Sequence, residues 1–296
     1  MSAPTLRIDN LRLGFKTWSG MVEVLHGIAL HIRPGERVAL VGESGSGKSV
    51  TARIVLGLLQ SIRTARIDGT VEFEGINLQS LKPKSRHALR GTRMSMIFQD
   101  PTSSLNPVYT IFDQFREVLA RADAAITAEQ AREKAIVALA DVAISEPERV
   151  LDSYAFQLSG GMNQRVMIAM ALANNPALLL ADEPGTALDV TVQAQTLKLM
   201  SELVEKHRTS VLFISHNLGV VREFADRVYV IYKGNIVEQG PTAALFDNPL
   251  HPYTKALLSA VPRITGGGIP DLDEDMAAFR APLVAHPGYS ERELLA

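Results

Sequence analysis

Gly42-Glu43-Ser44-Gly45-Ser46-Gly47-Lys48-Ser49 separates two segments of opposite character. Before it, Val38-Ala39-Leu40-Val41 is a short apolar run of the kind that forms a buried parallel strand. After it, Val50 to Leu59 reads as an amphipathic helix. A strand, a glycine-rich turn and a helix, in that order, form the context in which G-x-x-x-x-G-K-[ST] binds phosphate. Gly42, Gly45 and Gly47 let the backbone curl so that successive N–H groups face phosphate oxygens. The following helix adds the positive end of its dipole. The pattern predicts that Lys48 reaches the β- and γ-phosphates of a nucleotide and that the Ser49 hydroxyl binds Mg²⁺.

Three further apolar strands end in residues suited to phosphate chemistry. Ala177-Leu178-Leu179-Leu180-Ala181 ends in Asp182-Glu183. Two acids at the end of an apolar strand are costly unless a cation or a water uses them. Asp182 is placed to hold Mg²⁺, and Glu183 to polarise a water attacking the γ-phosphate. Ser210 to Ile214 ends in Ser215-His216-Asn217, and Met94 to Phe98 ends in Gln99. A histidine at a strand's carboxyl end in a doubly wound sheet faces the ligand crevice, so His216 is expected to sense the γ-phosphate. The Gln99 amide is expected to reach Mg²⁺ or the attacking water. Taken alone, a strand-end His or Gln is weak evidence, since either is common on a surface.

With Leu158-Ser159-Gly160-Gly161-Met162 added, these residues resemble the ATP-binding subunits of ABC transporters. Walker A is Gly42 to Ser49 and the Q-loop is Ile97 to Pro101. The signature is Leu158 to Met162 and Walker B is Leu178 to Glu183. The D-loop is Ala187-Leu188-Asp189, and His216 is the switch histidine. All six occur in the family's order. The resemblance implies an α/β P-loop NTPase fold with an antiparallel β subdomain and a helical subdomain at about 105–173. It places the ATP-binding domain at 5–248 and a C-terminal extension at 249–296. It implies ATP and Mg²⁺ as ligands, with Phe15 stacking on adenine (Trp18 is the alternative). Gly42, Ser44 to Ser49 and Val50 would bind the nucleotide, and Ser49, Gln99 and Asp182 the metal. Ser159 to Met162 and Asp189 would complete the site of a facing subunit. The catalytic set would be Glu183, His216 and Gln99.

The likeness is closer to one branch, the dipeptide/oligopeptide/nickel importers. Ile97 to Pro107 resembles that branch's long Q-loop, and Asn248 to Leu258 its C-terminal motif. Met162, where most relatives have Gln, resembles the first of the branch's two ATPase subunits. This implies a heterodimer with a second homologous ATPase, two transmembrane permease subunits and an extracytoplasmic solute-binding protein. The implied location is peripheral, on the cytoplasmic face of the bacterial inner membrane. Di- or oligopeptides are the expected cargo; nickel, glutathione, opines or sugars are the alternatives.

Three departures stand out. Tyr154 to Gln157 lacks the usual Pro-His, and Gly185 replaces a Thr. The chain also has no cysteine, so the iron–sulfur cluster held by some relatives' C-terminal segments has no thiolate ligands here.

Composition is that of a globular chain, with 46% apolar and 21% charged residues. A net charge of −2 offers no general attraction to nucleic acid. No signal-peptide pattern is present. The longest uncharged stretch, Val166 to Ala181, is broken by Asn174-Asn175-Pro176, so a membrane span is not expected. Chromosome-maintenance ATPases share this head but insert long coiled coils before the signature; no sustained heptads lie between Ser49 and Leu158. Translation-associated relatives carry two heads, and a kinase would lack the signature. Thr127 to Gln130 reads as a capping box. From Thr265 onward glycine, proline and acids dominate, and the tail is expected to be partly disordered.

Overall fold

Leu6, Ile8, Leu11 and Leu13 are all fully buried, yet Ile8 and Leu11 are an odd number of residues apart. Strict alternation would place them on opposite faces. The strand resolves this with an irregularity: Asn10 takes φ 46 and the pairing register shifts between Ile8 and Leu11. The extra residue restores the apolar face to the core.

The computed structural model describes residues 3–185, 190–260 and 278–290. In chain order the elements begin with β1 (Leu6–Thr17), β2 (Gly20–Ile32), β3 (Arg37–Val41), α1 (Lys48–Val55), β4 (Ala65–Phe73) and β5 (Ile76–Asn77). There follow α2 (Pro83–Leu89), β6 (Met94–Ile97), α3 (Pro101–Ser104), α4 (Ile111–Ala120), α5 (Ala128–Asp141), α6 (Pro147–Leu151), α7 (Gly160–Leu172), β7 (Leu178–Asp182) and α8 (Val190–His207). The chain continues with β8 (Ser210–Ser215), α9 (Leu218–Phe224), β9 (Arg227–Tyr232), β10 (Asn235–Pro241), α10 (Thr242–Asp247), α11 (Pro252–Ser259) and β11 (Val284–Ala285). They fall into two compact units, Met1–Ser80 with Leu212–Ala296, and Leu81–Val211.

The first unit holds an antiparallel sheet, β2-β1-β4-β5, the antiparallel β subdomain that the resemblance implied. Its second sheet is mixed: β3 runs parallel to β9, β10 antiparallel to β9, and β11 parallel to β10. All of β9 is buried, including the guanidinium of Arg227 at its start. Arg227 donates to both carboxylate oxygens of Glu36, at 2.8 and 3.0 Å, and to the His31 carbonyl at 2.8 Å. It also bonds the Tyr229 hydroxyl. Burial opposes its charge, but the bonds to Glu36 and Tyr229 outweigh that and raise its pKa, so it stays charged. This cluster ties the Pro34-Gly35-Glu36 turn to the foot of β9.

In the second unit β6 and β7 are parallel and fully buried. Helix α7 is buried from Val166 to Leu172. Within the stretch of about 105–173 expected to be helical lie α4, α5, α6 and α7, and α5 opens with the Thr127/Gln130 capping box.

Two local readings change. The helix after the phosphate loop stops at Val55 instead of running to Leu59, because Gly57 turns left-handed at φ 72. Within the tail expected to be partly disordered, 278–290 is folded: β11 pairs with β10, and Phe279 is buried. Residues 261–277 lie outside the described residues.

Replacing Arg227 with Met would leave the Glu36 carboxylate without its charge partner in a largely buried place. We expect a loss of about 3–5 kcal/mol in the unfolding free energy, read from urea denaturation.

Candidate functional site

The phosphate loop lies in the first unit, between β3 and α1. Gly42 packs directly against the backbone at the end of β9: a Cβ there would sit 2.1 Å from the Ile231 carbonyl oxygen. No residue but glycine fits that approach. Gly47 is the N-cap of α1 with φ 110. On the far side of the loop, the Gly234 N–H donates to the Ser46 carbonyl at 3.0 Å. Lys48 is buried, and its ammonium donates to the Gly42 and Glu43 carbonyls, each at 2.8 Å. The loop therefore holds its own cation beside its own concavity.

Two observations test whether this loop suits a nucleotide phosphate. The Ser46 hydroxyl is buried with no hydrogen-bond partner among the described residues, which an acceptor oxygen would satisfy. A Cβ at Gly45 would meet nothing within 4 Å, so the loop is open where a ligand would enter. The residues fit a polyphosphate.

His216 is exposed just beyond β8, also in the first unit. Its neighbour Asn217 caps α9, accepting from the Gly219 and Val220 N–H groups. Phe15 is half-buried in β1, and Trp18 stands fully exposed at the β1–β2 turn.

In the second unit the register of two strands does the assembling. Ile97 of β6 faces Ala181 of β7. Gln99 and Glu183 each lie two residues further on, so they leave the sheet side by side. Gln99 Nε2 donates to Glu183 Oε2 at 3.0 Å. That bond orients the carboxylate and leaves the Gln99 amide oxygen as the end suited to a cation. Glu183 has φ 50, a left-handed backbone uncommon outside glycine and concentrated at functional positions. Asp182, one residue earlier, is buried. Gly185 has φ 106, a backbone that the β-branched Thr usual there would adopt only under strain. Asp189 of the D-loop lies outside the described residues.

The signature forms the open N-terminus of α7. Ser159 is the N-cap, and its hydroxyl accepts from the Met162 N–H at 3.3 Å. Beside it is a cleft of about 640 Å³ lined by Ser159 to Met162 together with Arg149 and Arg165. Glu146 also lines the cleft and pairs with Arg149 at 2.8 Å, which leaves the helix N–H groups and the Arg165 guanidinium as the features that suit an anion.

A family model for the ABC transporter matches residues 25–186, and one for the oligopeptide/dipeptide transporter C-terminal region matches 237–278. The chain belongs to the ABC transporter ATP-binding family. It is an ATPase of that family and binds ATP. An oligopeptide transport ATP-binding protein of Bacillus subtilis, AppD, is 48% identical over 88% of this chain and 79% of its own length. A second, OppD, also from Bacillus subtilis, is 46% identical over 90% of this chain and 74% of its own. The dimeric ATP-binding cassette MJ0796, solved in a post-hydrolysis state with ADP and Pi, superposes with a TM-score of 0.71 at 28% identity. That match covers 80% of this chain and 98% of the cassette.

Sequence reasoning missed one residue that touches the loop. Tyr253, in α11, accepts the Glu43 N–H on its hydroxyl at 3.0 Å. The His-Pro-Tyr motif marked the place, but not the contact.

Gly42→Ala should force the Ile231 carbonyl aside, lowering stability by about 1–3 kcal/mol as overpacking does. ATP affinity should fall with it. Denaturant melts and ATP titrations of the same variant check both.

Proposed function

We propose that this chain is the ATP-hydrolysing subunit that powers import of di- or oligopeptides through an ABC transporter. The observation that carries the reading is the joint presence, in one chain, of an ABC ATPase core and the C-terminal region described for oligopeptide and dipeptide transporters. The names of the Bacillus subtilis relatives point the same way.

In this reading Gly42 and Ser44 to Val50 cradle the phosphates, and Lys48, held by the Gly42 and Glu43 carbonyls, offers its remaining N–H to the β- and γ-oxygens. Phe15 stacks on adenine. Magnesium would neutralise charge on the phosphates; its candidate ligands are Ser49 in the first unit and Gln99 and Asp182 in the second. Glu183, oriented by Gln99, polarises the attacking water, and His216 hydrogen-bonds the γ-phosphate. The signature end of α7 is built to complete the site of a facing ATPase subunit. Its open cleft and its exposed Ser159 support that role. Met162 favours a partner that is homologous, not identical.

No helix among the described residues is long and apolar enough to cross a membrane. We assign the membrane path to separate permease subunits, fed by a solute-binding protein on the outer side, on the strength of the family match. In the second unit Val108, Tyr109 and Phe156 are 72%, 52% and 71% exposed. Tyr154 stacks on Phe156, with ring centroids 5.5 Å apart. The Thr110–Tyr154 bridge ties the segment that carries Val108 and Tyr109 to this pair. An exposed apolar patch of this kind marks a docking surface, and we assign it to a permease at the inner face of the membrane.

Glu183→Gln in the assembled transporter should bind ATP normally and hydrolyse it about 10²–10⁴-fold more slowly, the usual worth of a general base. Phosphate release at the wild-type rate would remove Glu183 from that role. Native mass spectrometry of the purified complex should count one copy of this chain, one of a second ATPase and two permeases. Two copies of this chain with no other ATPase would show the pairing to be wrong.

A further inference from the structure

The Gly42–Glu43 peptide group is held at both ends. Its carbonyl, that of Gly42, accepts from the Lys48 ammonium at 2.8 Å, and its N–H, that of Glu43, donates to the Tyr253 hydroxyl at 3.0 Å. One planar group therefore lies between the loop's cation and a tyrosine of the C-terminal region. Hydrogen bonds in series through one amide polarise each other, so loss of one weakens the next.

Each residue of His251-Pro252-Tyr253 has a task in aiming that hydroxyl. The His251 ring accepts the Tyr253 N–H on Nδ1 at 3.1 Å and so caps α11. Its Nε2 lies 3.3 Å from the Ala281 carbonyl, which assigns the proton to Nε2. Pro252 occupies the first turn, where no N–H is needed. The cap is itself anchored by Glu238, fully buried, whose carboxylate accepts from the Leu250 and His251 N–H groups at 2.8 and 2.9 Å and pairs with His286 at 3.0 Å. The Tyr253 ring is 3% exposed and packs between Tyr232 and Phe279, at centroid distances of 4.4 and 5.5 Å. Burial pushes the phenol above its ordinary range, and the neighbouring Glu43 side chain adds to this, so it stays protonated.

We propose that Tyr253 is a positioning residue for ATP binding: its hydroxyl fixes the Gly42–Glu43 peptide, and through it the phosphate loop and Lys48. The proposal rests on reading Gly42 to Ser49 as the ATP loop. The C-terminal region is then a brace of the nucleotide site and not a separate appendage.

The test compares three variants of the full chain. Mg·ATP binding is titrated on the purified subunit, and KM and kcat are measured in the assembled transporter. Tyr253→Phe keeps the ring packing and removes only the hydroxyl. It should melt within a few degrees of wild type and raise the ATP Kd and KM about three- to tenfold, the worth of one hydrogen bond. Its kcat should stay within about twofold, because loop order is lost equally from ground and transition states. Phe279→Leu loosens the same aromatic cluster and spares the hydroxyl, so it should lower the melting temperature and leave KM unchanged. Lys48→Ala should abolish tight ATP binding. An unchanged KM in Tyr253→Phe, with Lys48→Ala impaired, overturns the proposal and leaves the loop reading intact. Equal KM increases in Tyr253→Phe and Phe279→Leu reduce Tyr253 to packing and also overturn it. Wild-type ATP affinity in Lys48→Ala overturns the loop reading itself.

Discussion

A loop that offers bare main-chain N–H groups to a polyanion has few side chains with which to hold itself. Its shape has to be imposed from behind, and in the first unit that support is the end of β9. Gly42 rests on the Ile231 carbonyl with no room for a methyl group, and the Gly234 N–H fastens Ser46. Strand β9 is stiff enough to serve because it is wholly buried and pinned at its foot by the Arg227–Glu36 cluster. A buried guanidinium that satisfies two carboxylate oxygens and a carbonyl is costly to lose, so the strand's position is set to a narrow tolerance.

The second unit answers a different demand, that of placing an acid where water can be activated. There the solution is register. Parallel pairing of β6 with β7 carries Gln99 and Glu183 out of the sheet as neighbours, and the amide–carboxylate bond gives the acid one orientation. The left-handed backbone at Glu183 is a strain that the buried strand behind it can sustain. The signature is placed by simpler means, a serine cap on an exposed helix end beside two arginines.

The C-terminal region gains a physical meaning from this. Glu238 gathers the chain at Leu250, His251 and His286 around one buried carboxylate, and the helix so anchored delivers Tyr253 to the loop. A region characteristic of peptide transporters thus touches the most general part of the ATPase. The backbone amide it holds shares its peptide plane with the carbonyl that holds Lys48.

The sequence by itself determined the local elements and the chemical parts. The glycine spacing of 42–47, the apolar runs of β3, β7 and β8, the capping box at Thr127 and the acids after β7 were all legible, because each expresses a demand made within a few residues of chain. It also excluded thiolate chemistry, since no cysteine is present. The tertiary structure alone decided which parts meet. The Gln99–Glu183 bond spans 84 residues and the Glu43–Tyr253 bond 210, and neither follows from spacing. The irregularity at Asn10, the early end of α1 at Val55 and the docking of 278–290 beside β10 also needed the fold. The reason is the same in each case. A residue's own backbone preference is local, but the identity of its partner depends on register and burial, which exist only once the chain has packed.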